Sequence, residues 1–148
     1  MVTQTLTPDQ CAVDVLTVIP VVTRWLRAEM RHQGQPHLSL SQLRVLHFLH
    51  RRPQASLSEL ADYLDVTRPT MSVMVDRLVN RGWVHRQDDV QERRRIALTL
   101  TEAGTAQLEQ VYGATLTQIS QRLQALSAEQ CQQVVAGLSI LGSLFAES

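Results

Sequence analysis

The stretch SLSELADYLDVTRPTMSVMVDRLVNRGWVHR (residues 56–86) decides the fold of this chain. Its pattern predicts two short helices separated by a tight turn and followed by the start of a β-ribbon. Ser56 and Glu59 have the spacing of a capping box, which marks the start of the first helix. Thr67 is a suitable cap for the second helix. Gly82 is the expected stop, because glycine adopts the left-handed conformation that ends many helices.

The second helix of this stretch carries a polar face beside its apolar stripe. Met71, Met74 and Leu78 recur at helical spacing and predict the buried side. The other face suits a helix that enters the major groove of DNA, because small side chains allow close approach and arginine can form two hydrogen bonds with guanine. An ordinary helical hairpin with a polar outer face would present the same residues. The candidate DNA-binding positions are Thr67, Arg68, Pro69, Thr70, Ser72, Val73 and Arg77.

The residues after Gly82 change from helical to alternating spacing. Residues 83–86 and 95–100 predict two short strands, and the charged segment 87–94, QDDVQERR, predicts the tip between them. A solvated hairpin loop is the alternative for such a charge run. Its position directly after two short helices favours a wing, whose tip adds Arg93 and Arg94 as candidate DNA contacts.

Further helices are predicted on both sides of this core. Thr7 starts one that runs to about Arg31 with a kink at Pro20, and a loop follows over residues 32–37. Three more helices begin at the capping residues Ser39, Thr101 and Ser127.

The terminal helices carry more apolar surface than a winged helix can bury. The stripe from Cys131 to Phe145 has regular helical spacing, and left uncovered it would promote aggregation. We therefore expect a homodimer. The expected fold is mainly α (α+β), a winged helix-turn-helix with terminal dimerisation helices. The expected organisation is a single domain over residues 1–148, with a DNA-binding part at 38–100 and helical dimerisation parts at 6–32 and 101–148.

The charge distribution favours double-stranded DNA as a partner. The 148-residue chain has 14 basic and 14 acidic residues, and every basic residue is an arginine. Residues 44–95 hold ten arginines and seven acidic residues, a balance of +3, and the rest of the chain balances at −3. The positive charge therefore follows the helix-turn-helix, as nucleic-acid binding requires.

Several other classes of protein are excluded by what the sequence lacks. No apolar run approaches the ~20 residues of a membrane helix, and the N-terminus is not that of a secretory signal. Two cysteines 120 residues apart indicate a reducing cytoplasm rather than a disulfide framework. Motifs of phosphate-binding loops, serine hydrolases and zinc proteases are missing. We therefore expect no catalytic site and no cofactor, and the five histidines lack the converging partners that a metal site needs.

The segment RQDDVQERRRIALTLTEAG (residues 86–104) resembles the wing signature of the multiple-antibiotic-resistance regulator (MarR) family. The second helix of the helix-turn-helix and LSLSQLRVLHFLH (residues 38–50) are also similar to the family pattern. Glu92 replaces the aspartate that is usual in the wing. The matching wing positions are Arg86, Asp89, Arg93, Arg94, Leu100, Thr101 and Gly104.

The resemblance implies a bacterial, cytoplasmic transcription regulator that binds a pseudo-palindromic operator as a homodimer. We expect a repressor that is released by a small phenolic or lipophilic effector. Arg86, Asp89 and Glu92 would support the wing. The family layout places Trp25, Arg44 and His47 around the effector cavity.

Thiol oxidation is the alternative trigger that the resemblance implies. Cys11 lies near the start of the first helix, about where peroxide-sensing relatives carry their reactive cysteine. No tyrosine lies in the first two helices to act as its hydrogen-bonding partner. A small-molecule effector is therefore the favoured hypothesis, and redox sensing through Cys11 remains the second one.

Overall fold

The computed structural model describes residues 5–88 and 95–146. No helix in these ranges combines the length and the apolar character needed to cross a membrane. The elements, in chain order, are α1 (Pro8–Gly34), α2 (Leu40–Arg51), β1 (Ala55–Ser56), α3 (Leu57–Leu64), α4 (Arg68–Asn80), β2 (Val84–Asp88), β3 (Ile96–Leu100), α5 (Glu102–Leu123) and α6 (Ala128–Phe145).

The winged helix-turn-helix predicted from the sequence is confirmed. Helices α3 and α4 pack beside an antiparallel sheet with the strand order β1-β3-β2. Strand β1, a two-residue strand in which Ala55 is paired with Leu98 of β3, was not predicted. Two residues are too short to show an alternating pattern. Fully buried side chains from the helices and the sheet form one core: Leu43, Leu46, Leu49, Leu60, Met71, Leu78 and Leu98.

The predicted start and end of α4 are confirmed by their hydrogen bonds. The hydroxyl of Thr67 accepts a bond from the Thr70 N–H at 3.3 Å at the start of α4. Gly82 has a φ of 76° and donates its N–H to the Val79 carbonyl, and the Trp83 N–H donates to the Leu78 carbonyl. This pair of bonds is the Schellman motif that ends helices at a left-handed residue.

The predicted capping box at Ser56 is only half formed. The Ser56 hydroxyl accepts a hydrogen bond from the Glu59 N–H at 3.2 Å. The Glu59 carboxylate does not return to Ser56, because it binds the guanidinium of Arg95 at 3.1 Å. The prediction of a reciprocal box was wrong because an arginine distant in the sequence provides a charged partner.

The prediction that α1 ends near Arg31 was also wrong. The helix continues through Pro20 and ends at Gly34. An i,i+4 hydrogen bond from the Gln33 amide to the Glu29 carboxylate at 2.7 Å supports the extra turn. Gly34 is buried, and a Cβ there would lie 3.5 Å from that of Leu38. Packing of the last turn therefore extends the helix into the predicted loop.

The terminal helices leave a large apolar surface uncovered. Helix α6 has no buried residue, although its sequence is the most apolar in the chain. Helix α5 buries only one side, through Leu108 and Val111. The exposed apolar side chains of α1 and α6 include Val13, Leu16, Val18, Val21, Val22, Val134, Val135, Leu138, Ile140, Leu144 and Phe145.

Candidate nucleic-acid interface

The outward face of α4 is the centre of the candidate interface. Met71, Val75 and Leu78 are completely buried and hold the helix against the core. Opposite them, Val73 exposes 53% of its surface. The structure therefore brings the predicted residues of this helix onto one accessible surface. Thr67, Arg68, Pro69, Thr70, Val73 and Arg77 are exposed, and Ser72 is half-buried.

Among the residues that the structure describes, two ion pairs join the wing to the helix-turn-helix. Arg86 on β2 binds Asp76 on α4 at 2.6 Å, and Arg95, just before β3, binds Glu59 on α3 at 3.1 Å. Between 35% and 53% of each of these side chains is exposed, so water screens both pairs and each adds little to stability. Their effect is geometric, because each strand of the wing is tied to one helix of the DNA-binding unit.

A supporting role for Arg86 was expected from the resemblance, but its partner was not. Asp76 belongs to the polar face of α4, where its charge alone gave no indication of a contact with the strand that follows. The remaining predicted wing residues, Asp89, Glu92, Arg93 and Arg94, lie outside the described residues. Their roles at the tip stay predictions.

A surface cleft lies between α2, α3 and the end of α6. His47 stacks on Tyr112 with ring centroids 5.1 Å apart. The ring centroids of Phe48 and Tyr63 lie 4.6 Å apart. Phe145, from the end of α6, forms part of the wall. The cleft offers aromatic surface together with charged groups of both signs. Its lining residues are His47, Phe48, Arg51, Arg52, Glu59, Asp62, Tyr63, Phe145 and Ala146.

The three residues that were predicted to surround the effector have different neighbours in the structure. His47 lines the cleft, whereas neither Trp25 nor Arg44 belongs to its lining. Trp25 packs beneath the Arg122 guanidinium, which lies 4.7 Å from its ring centroid. The guanidinium of Arg44 lies 5.4 Å from the ring centroid of Tyr63. Within the described chain, only His47 of the three therefore reaches this cleft.

The pKa values of the two stacked rings are shifted mainly by burial. Burial lowers the pKa of His47, and the nearby charges of Arg51 and His50 lower it further. Burial raises the pKa of Tyr112, and Tyr63 adds to the shift, while Arg51 opposes it. Both rings are therefore neutral at pH 7, which favours their stacking.

Acidification should weaken the fold through His47. The unfolded chain binds a proton near pH 6.5, whereas the folded chain binds it only at a lower pH. The free energy of unfolding should therefore fall as the pH drops below 6.5, and level off below the lowered pKa. Denaturant unfolding of His47→Gln should show a smaller fall in this range than the unmodified chain. A His32→Gln control, at an exposed position, should retain the fall; an equal fall in both variants would contradict the assignment.

The two cysteines lie in different environments. Cys11 is exposed in the first turns of α1, and Cys131 is half-buried on α6. The Cys11 N–H donates to the Thr7 carbonyl at 3.1 Å, as expected at a helix start. Both thiols are free.

The assembly of an exposed helix, a tied wing and a three-stranded sheet can be compared with known proteins. Residues 38–96 match the model of the MarR family. This segment of the chain is similar to the MarR family. It runs from just before α2 to the first residue of β3.

Proteins that are similar to this chain carry consistent descriptions. The HTH-type transcriptional regulator YfiV of Bacillus subtilis is 28% identical over 81% of this chain and 70% of its own length. The HTH-type transcriptional repressor MdtR of the same organism is 25% identical over 84% of this chain and 81% of its own length. A mutant of MarR from E. coli, complexed with operator DNA, has the same fold with a TM-score of 0.63 and 22% identity, covering 92% of this chain and 99% of that chain.

The structure explains why threonine stands at position 101 and glycine at position 104, two of the positions that match the MarR wing signature. Their spacing in the sequence does not explain this. Thr101 caps α5 by accepting the Gly104 N–H at 3.0 Å, and its hydroxyl donates to the Gly82 carbonyl. The Thr101 N–H donates to the Trp83 carbonyl at 3.1 Å. A Cβ on Gly104 would lie only 2.0 Å from that same carbonyl oxygen. The chain therefore needs glycine where α5 crosses the start of the wing.

Proposed function

We propose that this chain is a DNA-binding transcriptional regulator of the MarR family, and that it acts as a sequence-specific repressor that binds a pseudo-palindromic operator as a homodimer. The exposed outward face of α4, whose N-terminal half carries short polar side chains and arginine, is the observation that carries the proposal. Such a face fits the major groove, where bases are distinguished by hydrogen bonds to their edges. The similarity to the repressor MdtR supports the direction of regulation.

The uncovered apolar surface supports the homodimeric part of the proposal. Helices α1 and α6 both belong to the ends of the chain, and both expose long apolar side chains. A second copy of the chain would cover them with the same surface, as a two-fold interface requires. A two-fold protein then contacts a two-fold DNA site, with half-sites about one helical turn apart.

Binding to the promoter of its own operon tests the proposal. The labelled duplex should shift in a gel at protein concentrations that leave a scrambled duplex free. The affinity should fall steeply between low and moderate salt, because arginine contacts release counterions from phosphates. Equal binding to both duplexes would contradict sequence specificity. An affinity that does not change with salt concentration would contradict the contacts with phosphates.

We further propose that a small aromatic effector relieves repression by binding in the cleft of His47. The rings of His47, Phe48 and Tyr63 line the cleft and offer flat apolar contacts. Arg51, in the same lining, offers a cation for a phenolate or carboxylate. The cleft joins helices of the DNA-binding unit to the end of α6. An occupant could therefore alter the position of one relative to the other.

Replacing Cys11 with serine should leave regulation by this route unchanged. Serine preserves the size of the side chain and the start of α1, where the side chain is exposed. We expect Cys11→Ser to bind operator DNA with unchanged affinity and to keep any response to hydroperoxide that the unmodified chain shows. Titrations of both proteins with and without peroxide measure this. If peroxide released only the unmodified protein from DNA, redox sensing through Cys11 would replace the effector hypothesis.

A further inference from the structure

Two arginines from different elements line one surface depression at the base of the wing. Arg68 is the first residue of α4, and Arg95 lies immediately before β3. Ser56, the cap of α3, and Ser58 and Glu59 from its first turn complete the polar part of the lining. A depression with two guanidinium groups and one carboxylate keeps an excess of positive charge, which suits an anion.

The contacts of Arg95 leave it available for another partner. Its Nη2 atom lies 3.1 Å from the Glu59 carboxylate and 3.4 Å from the Gln54 carbonyl. Its Nε atom is buried and meets no acceptor among the described residues, so the other donors of the guanidinium are the ones that an anion can reach. The Arg95 side chain is 38% exposed and the Glu59 side chain 43% exposed. An exposed pair of this kind is weak, so an anion from solution can compete with Glu59.

The position of the depression identifies the anion. Arg68 begins the recognition helix, so the depression borders the face of α4 that enters the major groove. The sugar–phosphate backbone forms the edge of that groove, and arginine binds a phosphate through two parallel hydrogen bonds. A phosphate at the groove edge is therefore the anion that the depression would meet when α4 is bound.

We propose that Arg68 and Arg95 together bind one phosphate of the DNA backbone, and that Glu59 competes with this phosphate for Arg95. The inference rests on the proposed binding of DNA by α4. It assigns Arg68 a contact that positions the protein rather than one that selects a base. It also gives Glu59 an opposing role, because its carboxylate occupies Arg95 in the free protein and repels the phosphate in the complex.

Salt dependence of DNA binding separates this arrangement from a purely structural ion pair. We would measure the affinity of the full-length chain for one duplex at several salt concentrations. Arg95→Gln and Arg68→Gln should each weaken binding to all duplexes alike and reduce the salt slope by about 0.9 for each phosphate that is no longer neutralised. The double variant should bind only slightly more weakly than either single one, because both arginines serve the same phosphate.

The variant Glu59→Gln should change the affinity for DNA in the opposite direction. Removing the competing carboxylate should tighten DNA binding by roughly twofold to fivefold, the range expected from the strength of an exposed ion pair. Arg24→Gln, on an exposed part of α1, serves as the control for loss of one positive charge and should change the slope little. Thermal unfolding of each variant reports its effect on the fold.

The outcomes are distinct. Opposite effects of Arg95→Gln and Glu59→Gln on affinity support the shared phosphate. If both variants weaken binding and lower the unfolding temperature together, the pair is only structural and the inference is wrong. If Arg68→Gln changes the preferred bases but not the salt slope, Arg68 contacts a base instead. If the unmodified chain fails to bind DNA, the proposed function fails before this inference is reached.

Discussion

Replacing Gly104 with alanine should destabilise the chain by about 3 kcal/mol or more and abolish operator binding at 37 °C. The new Cβ would lie 2.0 Å from the carbonyl oxygen and 2.9 Å from the carbonyl carbon of Trp83. These are backbone atoms, so no side-chain rotation can relieve the overlap, and overpacking at rigid sites has costs at the upper end of the usual range. The start of α5 must then move away from the wing.

Gly113 provides a matched control on the same helix. A Cβ there would meet nothing within 4 Å, so Gly113→Ala should stabilise the helix by roughly 0.5–1 kcal/mol. Denaturant unfolding measures both variants. Equal stability of Gly104→Ala and the unmodified chain would contradict the packing of α5 against Trp83.

Replacing Leu138 with glutamate should separate the proposed dimer. Leu138 lies on α6 with 57% of its surface exposed, and a two-fold interface would contain it twice. Losing the burial of two leucines, at about 2 kcal/mol each, raises the dissociation constant of the dimer by roughly 10³-fold. Sedimentation should show a species of the 16.7 kDa single chain, and DNA affinity should fall because two linked half-site contacts become independent.

The control for this change is Gln133→Glu, which adds the same charge to an exposed polar position of α6. It should remain dimeric and bind DNA as before. Dimers of Leu138→Glu with undiminished DNA binding would show that this part of α6 lies outside the interface.

The fold was predictable from the sequence where local chemistry decides the structure. Thr7, Ser39, Thr101 and Ser127 cap the helices they were expected to cap, because a side-chain oxygen three residues before a free N–H needs no distant partner. Gly82 ends α4 for the same local reason. The exposed face of α4 follows from helical periodicity alone.

The features that sequence reasoning missed depend on contacts between distant residues. Glu59 is drawn from its capping box by Arg95, 36 residues away, and β1 exists only because β3 pairs with it. Asp76 binds Arg86 across a helix and a strand. Trp25 and Arg44 were expected beside His47, but Arg122 and Tyr63 are their partners. Periodicity reports which face of an element is buried, not which neighbour covers it.

Selection of bound duplexes from a randomised pool tests the central claim, that paired α4 helices recognise a specific operator. The chain should enrich an inverted repeat whose half-site centres lie about 10 bp apart. Arg77→Ala should bind the repeat with an affinity lower by roughly 1–3 kcal/mol and relax the preference at one position of each half-site. The proposed role of the recognition helix would be contradicted if the unmodified chain selected no preferred sequence. It would also be contradicted if Arg77→Ala kept the same base preference at every position.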